Sequence, residues 1–278
     1  MNNESQTAQD KRIYNLAKDY LLDIATKQKK PITADIIEQY LVAKPRPTTL
    51  PGIFERILGS AQNANMRAGV IGGSIDGIDN LREVLCGFEP ASIVQKYGSK
   101  WEPLLDQINE RVHPRVRKGK ELNKKAIGLW PKYCKTILAS AEFMSEFSSA
   151  DDFYQWVDFF YKDKRSRLAL PLLLQNKIYG IGLALACDFL KELGYTGFGK
   201  PDVHLRNIFE NIGMCPRDAT DYQLFEAIIR VSQNAAVTPY GVDKVFWLIG
   251  SGKYYLHDIK VGRHGDDFIE YVKKLEVM

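Results

Sequence analysis

At 278 residues the chain can bury a large core, in one large domain or two small ones. Its composition, 45% hydrophobic and 26% charged, is globular; no apolar run can span a membrane, and the polar start Met1-Asn2-Asn3-Glu4-Ser5-Gln6 does not read as a secretory signal. The net charge of +4 is too small to argue for a nucleic-acid partner, so that question passes to how the charge is distributed.

Apolar positions at Ile13, Leu16, Ala17, Tyr20, Leu21 and Ile24 form a helical stripe across residues 9–27. Thr33 is placed to cap a second helix reaching about Ala43. The segment from Lys44 to Gly52, with three prolines, reads as a linker that cannot be helix. Phe54, Ile57, Leu58 and Ala61 then share one helical face, and that helix ends in Ser60-Ala61-Gln62-Asn63. Gly69, Gly72, Gly73 and Gly77 mark a flexible loop, in which Ala68 to Ile71 is the best of very few strand signals.

Short helical patterns follow at Ile78–Cys86, Ala91–Tyr97 and Lys100–Val112. Between Arg111 and Lys135 nine Lys or Arg residues face a single acidic one, Glu121. Such a stretch, including Lys124 and Lys125, can contact phosphates, although most charge runs are simply solvated surface. Trp130 and Tyr133 interleave with the charge. Tyr133 to Phe147 is helical, and Ser148-Ser149-Ala150-Asp151 caps an aromatic helix holding Phe153, Tyr154, Trp156, Phe159, Phe160 and Tyr161. Aromatics at this spacing are usually core; one or two can also stack on an extruded base.

The apolar run Leu168–Leu174 leads to Gly180-Ile181-Gly182, which breaks the chain. Leu183–Leu193 reads as the next helix, with Gly194 at its C-terminal cap. Two helices joined by such a turn expose backbone N–H groups that suit a phosphate. Asp202 follows Pro201 and opens a further helical pattern, so its carboxylate belongs at a helix N-terminus. Thr220-Asp221-Tyr222-Gln223 is a capping box for a helix to about Val231, and Phe268–Leu275 suggests a last helix. Cys86, Cys134, Cys187 and Cys215 are scattered, as expected of reduced core thiols in a cytoplasmic protein, and show no metal-ligand spacing with the four histidines.

Three islands together resemble a known family. Gly180-Ile181-Gly182 with Ala186 and Asp202-Val203-His204 resembles the helix-hairpin-helix DNA glycosylases, the superfamily of endonuclease III and the adenine, 8-oxoguanine and alkylpurine glycosylases. Ser60-Ala61-Gln62-Asn63 is similar to the end of that family's early helix, and Trp247-Leu248-Ile249 leading to Gly252-Lys253 is similar to its late helix. The resemblance covers roughly residues 53–66, 177–209 and 242–253, and nothing between 67 and 132 is matched.

The resemblance implies an all-α fold of two helical domains with the catalytic cleft between them. One domain would run from Leu50 to Tyr195 and end in the hairpin; the other would join residues 1–49 to 196–278. It implies a monomer that flips a damaged or modified base out of double-stranded DNA and excises it. Asp202 would be the catalytic carboxylate, Gly180, Ile181 and Gly182 the DNA clamp, and Gln62 with Asn63 the wedge that fills the stack. His204 would fix the turn. A monovalent cation on the hairpin carbonyls is a further implication.

The sequence departs from the family twice. Ala184 stands where strand-cutting relatives carry a nucleophilic lysine, which points to a monofunctional enzyme that uses water. No cysteine follows Cys215, so the iron–sulfur cluster of many relatives lacks its ligands. Two alternatives stay open: a bifunctional lyase using a relocated Lys177 or Lys200, and a non-catalytic DNA-binding protein. The excised base is also open among oxidised purines, alkylated bases and enzymatically modified bases, so the role is either repair or removal of foreign DNA modifications.

Overall fold

A computed structural model describes residues 3–63, 70–115, 125 and 128–277. It is 68% helix, so the chain is all-α. In order, the α-helices are α1 (Asn3–Lys27), α2 (Ala34–Leu41), α3 (Leu50–Ala61), α4 (Val70–Ser74), α5 (Pro90–Tyr97), α6 (Trp101–Arg111) and α7 (Leu129–Met144). They continue with α8 (Ala150–Lys162), α9 (Ala169–Lys177), α10 (Leu183–Glu192), α11 (Val203–Asn211), α12 (Asp221–Asn234), α13 (Pro239–Ser251) and α14 (Gly265–Val277). The sheet among the described residues is one antiparallel ribbon, β1 (Lys253–Tyr254) against β2 (Ile259–Lys260), paired Lys253 to Lys260 and Tyr254 to Ile259.

The chain divides into two compact units: Met1–Lys44 with Gly194–Met278, and Pro45–Leu193. The first unit is therefore made from both ends of the sequence. Ile13, Ala17, Leu21 and Ile24 on α1 are buried with Ile208 and Phe209 on α11, Leu224 and Ile228 on α12, and Val242, Val245, Phe246 and Ile249 on α13. Asp10, fully buried on α1, fixes this arrangement. Its carboxylate accepts from Arg230 Nε at 2.9 Å and Asn234 Nδ2 at 2.7 Å on α12, and from Gln6 Nε2 at 3.0 Å. A buried carboxylate stripped of such donors costs well over 1 kcal/mol, so α1 and α12 are tied as well as packed.

In the second unit α7 packs against α3, α5 and α6, and α10 against α3 and α9. Phe54, Ile57 and Leu58 of α3 lie in its core with Ile137 and Met144 of α7 and Ala186, Phe189 and Leu190 of α10.

Local capping chemistry sets many helix starts. Thr33, Ser149 and Thr220 accept from the N–H groups of Ile36, Asp152 and Gln223, and Thr220 with Gln223 completes a capping box. Helix α2 stops at Leu41, short of Ala43, and α12 runs on past Val231 to Asn234.

Four readings of the sequence are corrected. Leu50, Pro51 and Gly52 belong to α3: Thr49 caps it and Pro51 occupies the first turn, where its missing N–H is no loss. The remaining linker lies along α8, whose Tyr154 hydroxyl donates to Pro47 O at 2.8 Å. Val70 and Ile71 open the short helix α4, which also takes up Gly72 and Gly73 in place of the expected strand and loop; Ala68 and Gly69 lie outside the described residues. Helix α7 begins at Leu129, so Trp130 and Tyr133 are buried core and offer no stacking surface among the charges.

Candidate active site

The turn from Gly194 to Asp202 is shaped by α13. Tyr240 N–H donates to Thr196 O at 3.1 Å. Gly199 lies so close that a Cβ there would stand 2.7 Å from Pro239 O and 2.7 Å from Ile228 Cγ2 on α12. Lys200 N–H donates to Asp243 Oδ2 at 3.0 Å, and Asp243 is fully buried. Further along α13, Gly250 supports His204; a Cβ on Gly250 would fall 2.6 Å from His204 Cβ. Tyr240, Asp243 and Gly250 follow helical spacing, so one face of α13 holds both the turn and the start of α11.

On that support Asp202 is the N-cap of α11. Its Oδ1 accepts from His204 N–H at 2.9 Å and Leu205 N–H at 3.2 Å. Both bonds favour the ionised carboxylate. Nevertheless its pKa is raised, chiefly by burial and next by the Asp243 carboxylate; Lys200, His204 and the Leu205 N–H oppose the rise without cancelling it. The pKa of His204 is lowered, first by burial and then by Arg263, Lys253 and Lys200, against the pull of Asp202. The site therefore combines a carboxylate whose ionisation is opposed with an imidazole whose protonation is opposed.

The hairpin is built differently. Ile181 N–H donates to Ile178 O at 3.2 Å, closing the turn between α9 and α10. Gly180 needs to be glycine twice over: φ is +81°, and a Cβ would lie 2.1 Å from Thr136 Oγ1 on α7. Gly182 has no such need, with φ −86° and nothing within 4 Å of a Cβ. It caps α10 without a side chain, so the first N–H groups of that helix have no side-chain oxygen from the cap residue. Ile181 is buried, while Gly180 and Gly182 are exposed.

Gln62 is the C-cap of α3 and is engaged at both ends of its amide. Nε2 donates to Gly59 O at 3.1 Å and Oε1 accepts from Gly72 N–H at 3.1 Å, which latches α3 to α4. Asn63 Nδ2 donates to Gly59 O at 3.4 Å. To enter a DNA stack Gln62 would give up both bonds, each worth about 1 kcal/mol.

Lys125 is exposed, and Lys124 lies outside the described residues. Ala184 is half-buried and carries no amine. Lys177 Nζ is 3.8 Å from Glu146 Oε1 at the surface, whereas Lys200 is one of the charges that act on Asp202. The four cysteines are in the thiol form, three of them buried. Among the described residues no three His, Cys, Asp or Glu side chains gather in a way that could hold a metal, and no helix is long and apolar enough to cross a membrane.

Sequence reasoning missed Asp243. Its signal was present: an acidic residue inside the run from Val242 to Ile249, otherwise almost wholly apolar, is out of place on a buried helix unless it serves something. Comparison of the chain with known protein families, curated proteins and solved structures gave no match.

Proposed function

We propose that the protein is a DNA glycosylase that hydrolyses the N-glycosidic bond of a damaged or modified base in double-stranded DNA. One observation carries the reading. Asp202 is fixed at the N-terminus of α11 by two N–H bonds, on a turn that the buried Asp243 holds through Lys200, and burial and Asp243 oppose its ionisation. A cap alone needs neither burial nor a neighbouring carboxylate. Perturbation of this kind is commonest where charge is stored for chemistry.

In the reaction the C1′–N bond breaks and its electron pair leaves on the base. The sugar becomes oxocarbenium-like, water adds at C1′, and the proton that the water gives up ends on the departing base, directly or through solvent. A carboxylate held in place beforehand stabilises the positive sugar without reorganising at the moment of reaction, by the same logic as in glycoside hydrolysis. Asp202 is assigned that role. Gly180-Ile181-Gly182 is assigned the DNA backbone, because Gly182 leaves open space before a helix N-terminus that no cap side chain fills.

Incubation with a panel of duplexes, each with one modified base, tests the reading. Free base should be detected by mass spectrometry, with an intact strand that breaks only on alkali or heat. Borohydride should trap no protein–DNA adduct. A trapped adduct lost in Lys200→Ala or Lys177→Ala would establish a lyase instead, and no released base from any duplex would leave a DNA-binding module. Gly182→Asp tests the clamp separately. Asp is a good N-cap at this extended backbone, so folding stability should hold or rise by a few tenths of a kcal/mol, while a carboxylate at the phosphate position weakens duplex binding. Unchanged binding would remove the hairpin from the interface.

A further inference from the structure

We propose that Asp243 is a positioning residue for Asp202: it holds the turn that carries Asp202 through the Lys200 N–H and places a fully buried carboxylate near the half-buried one. The catalytic half of this inference rests on the glycosylase reading.

The geometry gives Asp243 one job, and its charge adds a second. Its Oδ2 accepts the Lys200 N–H at 3.0 Å, two residues before Asp202. Thr196 O and Gly199 are held by the preceding turn of the same helix, and Asp243 adds a tie to the loop two residues before Asp202. A misplacement of about 1 Å at a reacting group can cost on the order of 100-fold in rate, and the Lys200 bond guards against such drift. The second job is electrostatic. Asp243 opposes ionisation of Asp202, while Lys200 on the turn and His204 on α11 favour it. Lys253 on β1 and Arg263 ahead of α14 act in turn on His204. Two carboxylates at one site repel each other until a positive charge arrives between or beside them, and the oxocarbenium sugar is such a charge. The carboxylates still repel each other, but the attraction of that charge to both offsets the cost of ionising Asp202 at the transition state.

Two variants separate these jobs. Asp243→Asn keeps an oxygen for the Lys200 N–H and removes the charge; Asp243→Ala removes both. Carbon-13 NMR of the Asp202 carboxyl in the full, unliganded chain follows its titration. In Asp243→Asn the Asp202 midpoint should fall, and the acid limb of the excision rate should move to lower pH with it. Excision by Asp243→Ala should drop by about 100-fold, further than in Asp243→Asn. An unmoved Asp202 midpoint in Asp243→Asn overturns the electrostatic role, and equal losses in the two variants overturn the positioning role. If Asp243→Ala does not fold, rescue of the excision rate by Asp243→Asn relative to Asp243→Ser decides the second point. If wild-type protein releases no base, the glycosylase reading fails, and the Asp202 midpoint still judges the electrostatic half by itself.

Discussion

Asp202 and Asp163 accept hydrogen bonds from the same two backbone positions, yet their pKa values are shifted in opposite directions. Asp163 accepts from the N–H groups two and three residues on, Arg165 at 3.1 Å and Ser166 at 2.8 Å, and from the Ser166 hydroxyl at 2.6 Å. Asp202 likewise accepts from the N–H groups two and three residues on. The Ser166 side chain and backbone lower the Asp163 pKa, as donors to a carboxylate should. At Asp202 burial and Asp243 outweigh the same kind of donors. The turn motif therefore does not decide what the carboxylate is for; its surroundings do. One is a turn fastener in water. The other carries a charge that the fold tolerates at a cost.

The widest separation between the two should come from removing each charge in turn. Asp202→Asn keeps an N-cap and loses the carboxylate, so excision should fall by about 10²–10³-fold while duplex binding persists. Stability should move the other way. A folded-state pKa above the unfolded one means the native state holds its proton more tightly; the stabilisation is complete below the unfolded pKa and is lost as pH rises through the folded pKa. At neutral pH the charge is therefore a burden, and Asp202→Asn should raise the thermal midpoint at pH 7, with the gain vanishing in acid. A lower midpoint at pH 7 would make Asp202 an ordinary cap.

A smaller effect should come from breaking the burial of Asp202 without touching it. Gly250→Val drives a branched side chain into His204, at a position where a Cβ alone would already lie 2.6 Å from His204 Cβ. Overpacking of this kind costs about 1–3 kcal/mol. As α11 lifts from α13, the Asp202 midpoint should drop toward that of an exposed carboxylate; an unchanged midpoint would show that burial is not the cause. Smallest of all is Asp163→Asn. Its folded pKa is depressed, so its contribution is present above the unfolded pKa and lost as pH falls through the folded one. Thermal stability should dip slightly at pH 7 and match wild type in acid, the reverse of Asp202→Asn.

What could be read in the sequence divides along the same line. The caps Thr33, Ser149, Thr220 and Asp202 were legible because the capping oxygen and the N–H it serves lie within three residues of each other. Gly194, at φ +86°, was legible as a helix stop for the same reason. Asp243 was not, because its partner Lys200 lies on a distant stretch of chain and no periodicity connects them. Helix α4 was missed because glycines argue for a loop, while Gln62 supplies an acceptor for Gly72 N–H from outside the segment. Gly180 and Gly182 looked equivalent in sequence. Their backbone angles and the position of Thr136 show that the first is required by the fold and the second is not.

The unit assembled from both ends of the chain also has a history during synthesis. Helices α1 and α2 emerge first, yet α11, α12 and α13, which cover the buried faces of α1, follow only after the whole of Pro45–Leu193. At about 5–20 residues per second, the roughly 150 residues in between occupy the ribosome for on the order of 10–30 s. The contiguous unit has time to fold in that interval. The apolar stripe of α1, from Ile13 to Ile24, meanwhile waits without its partners, and the Asp10 carboxylate waits for Arg230. Helices α1 and α2 are thus made well before the helices that bury their apolar faces.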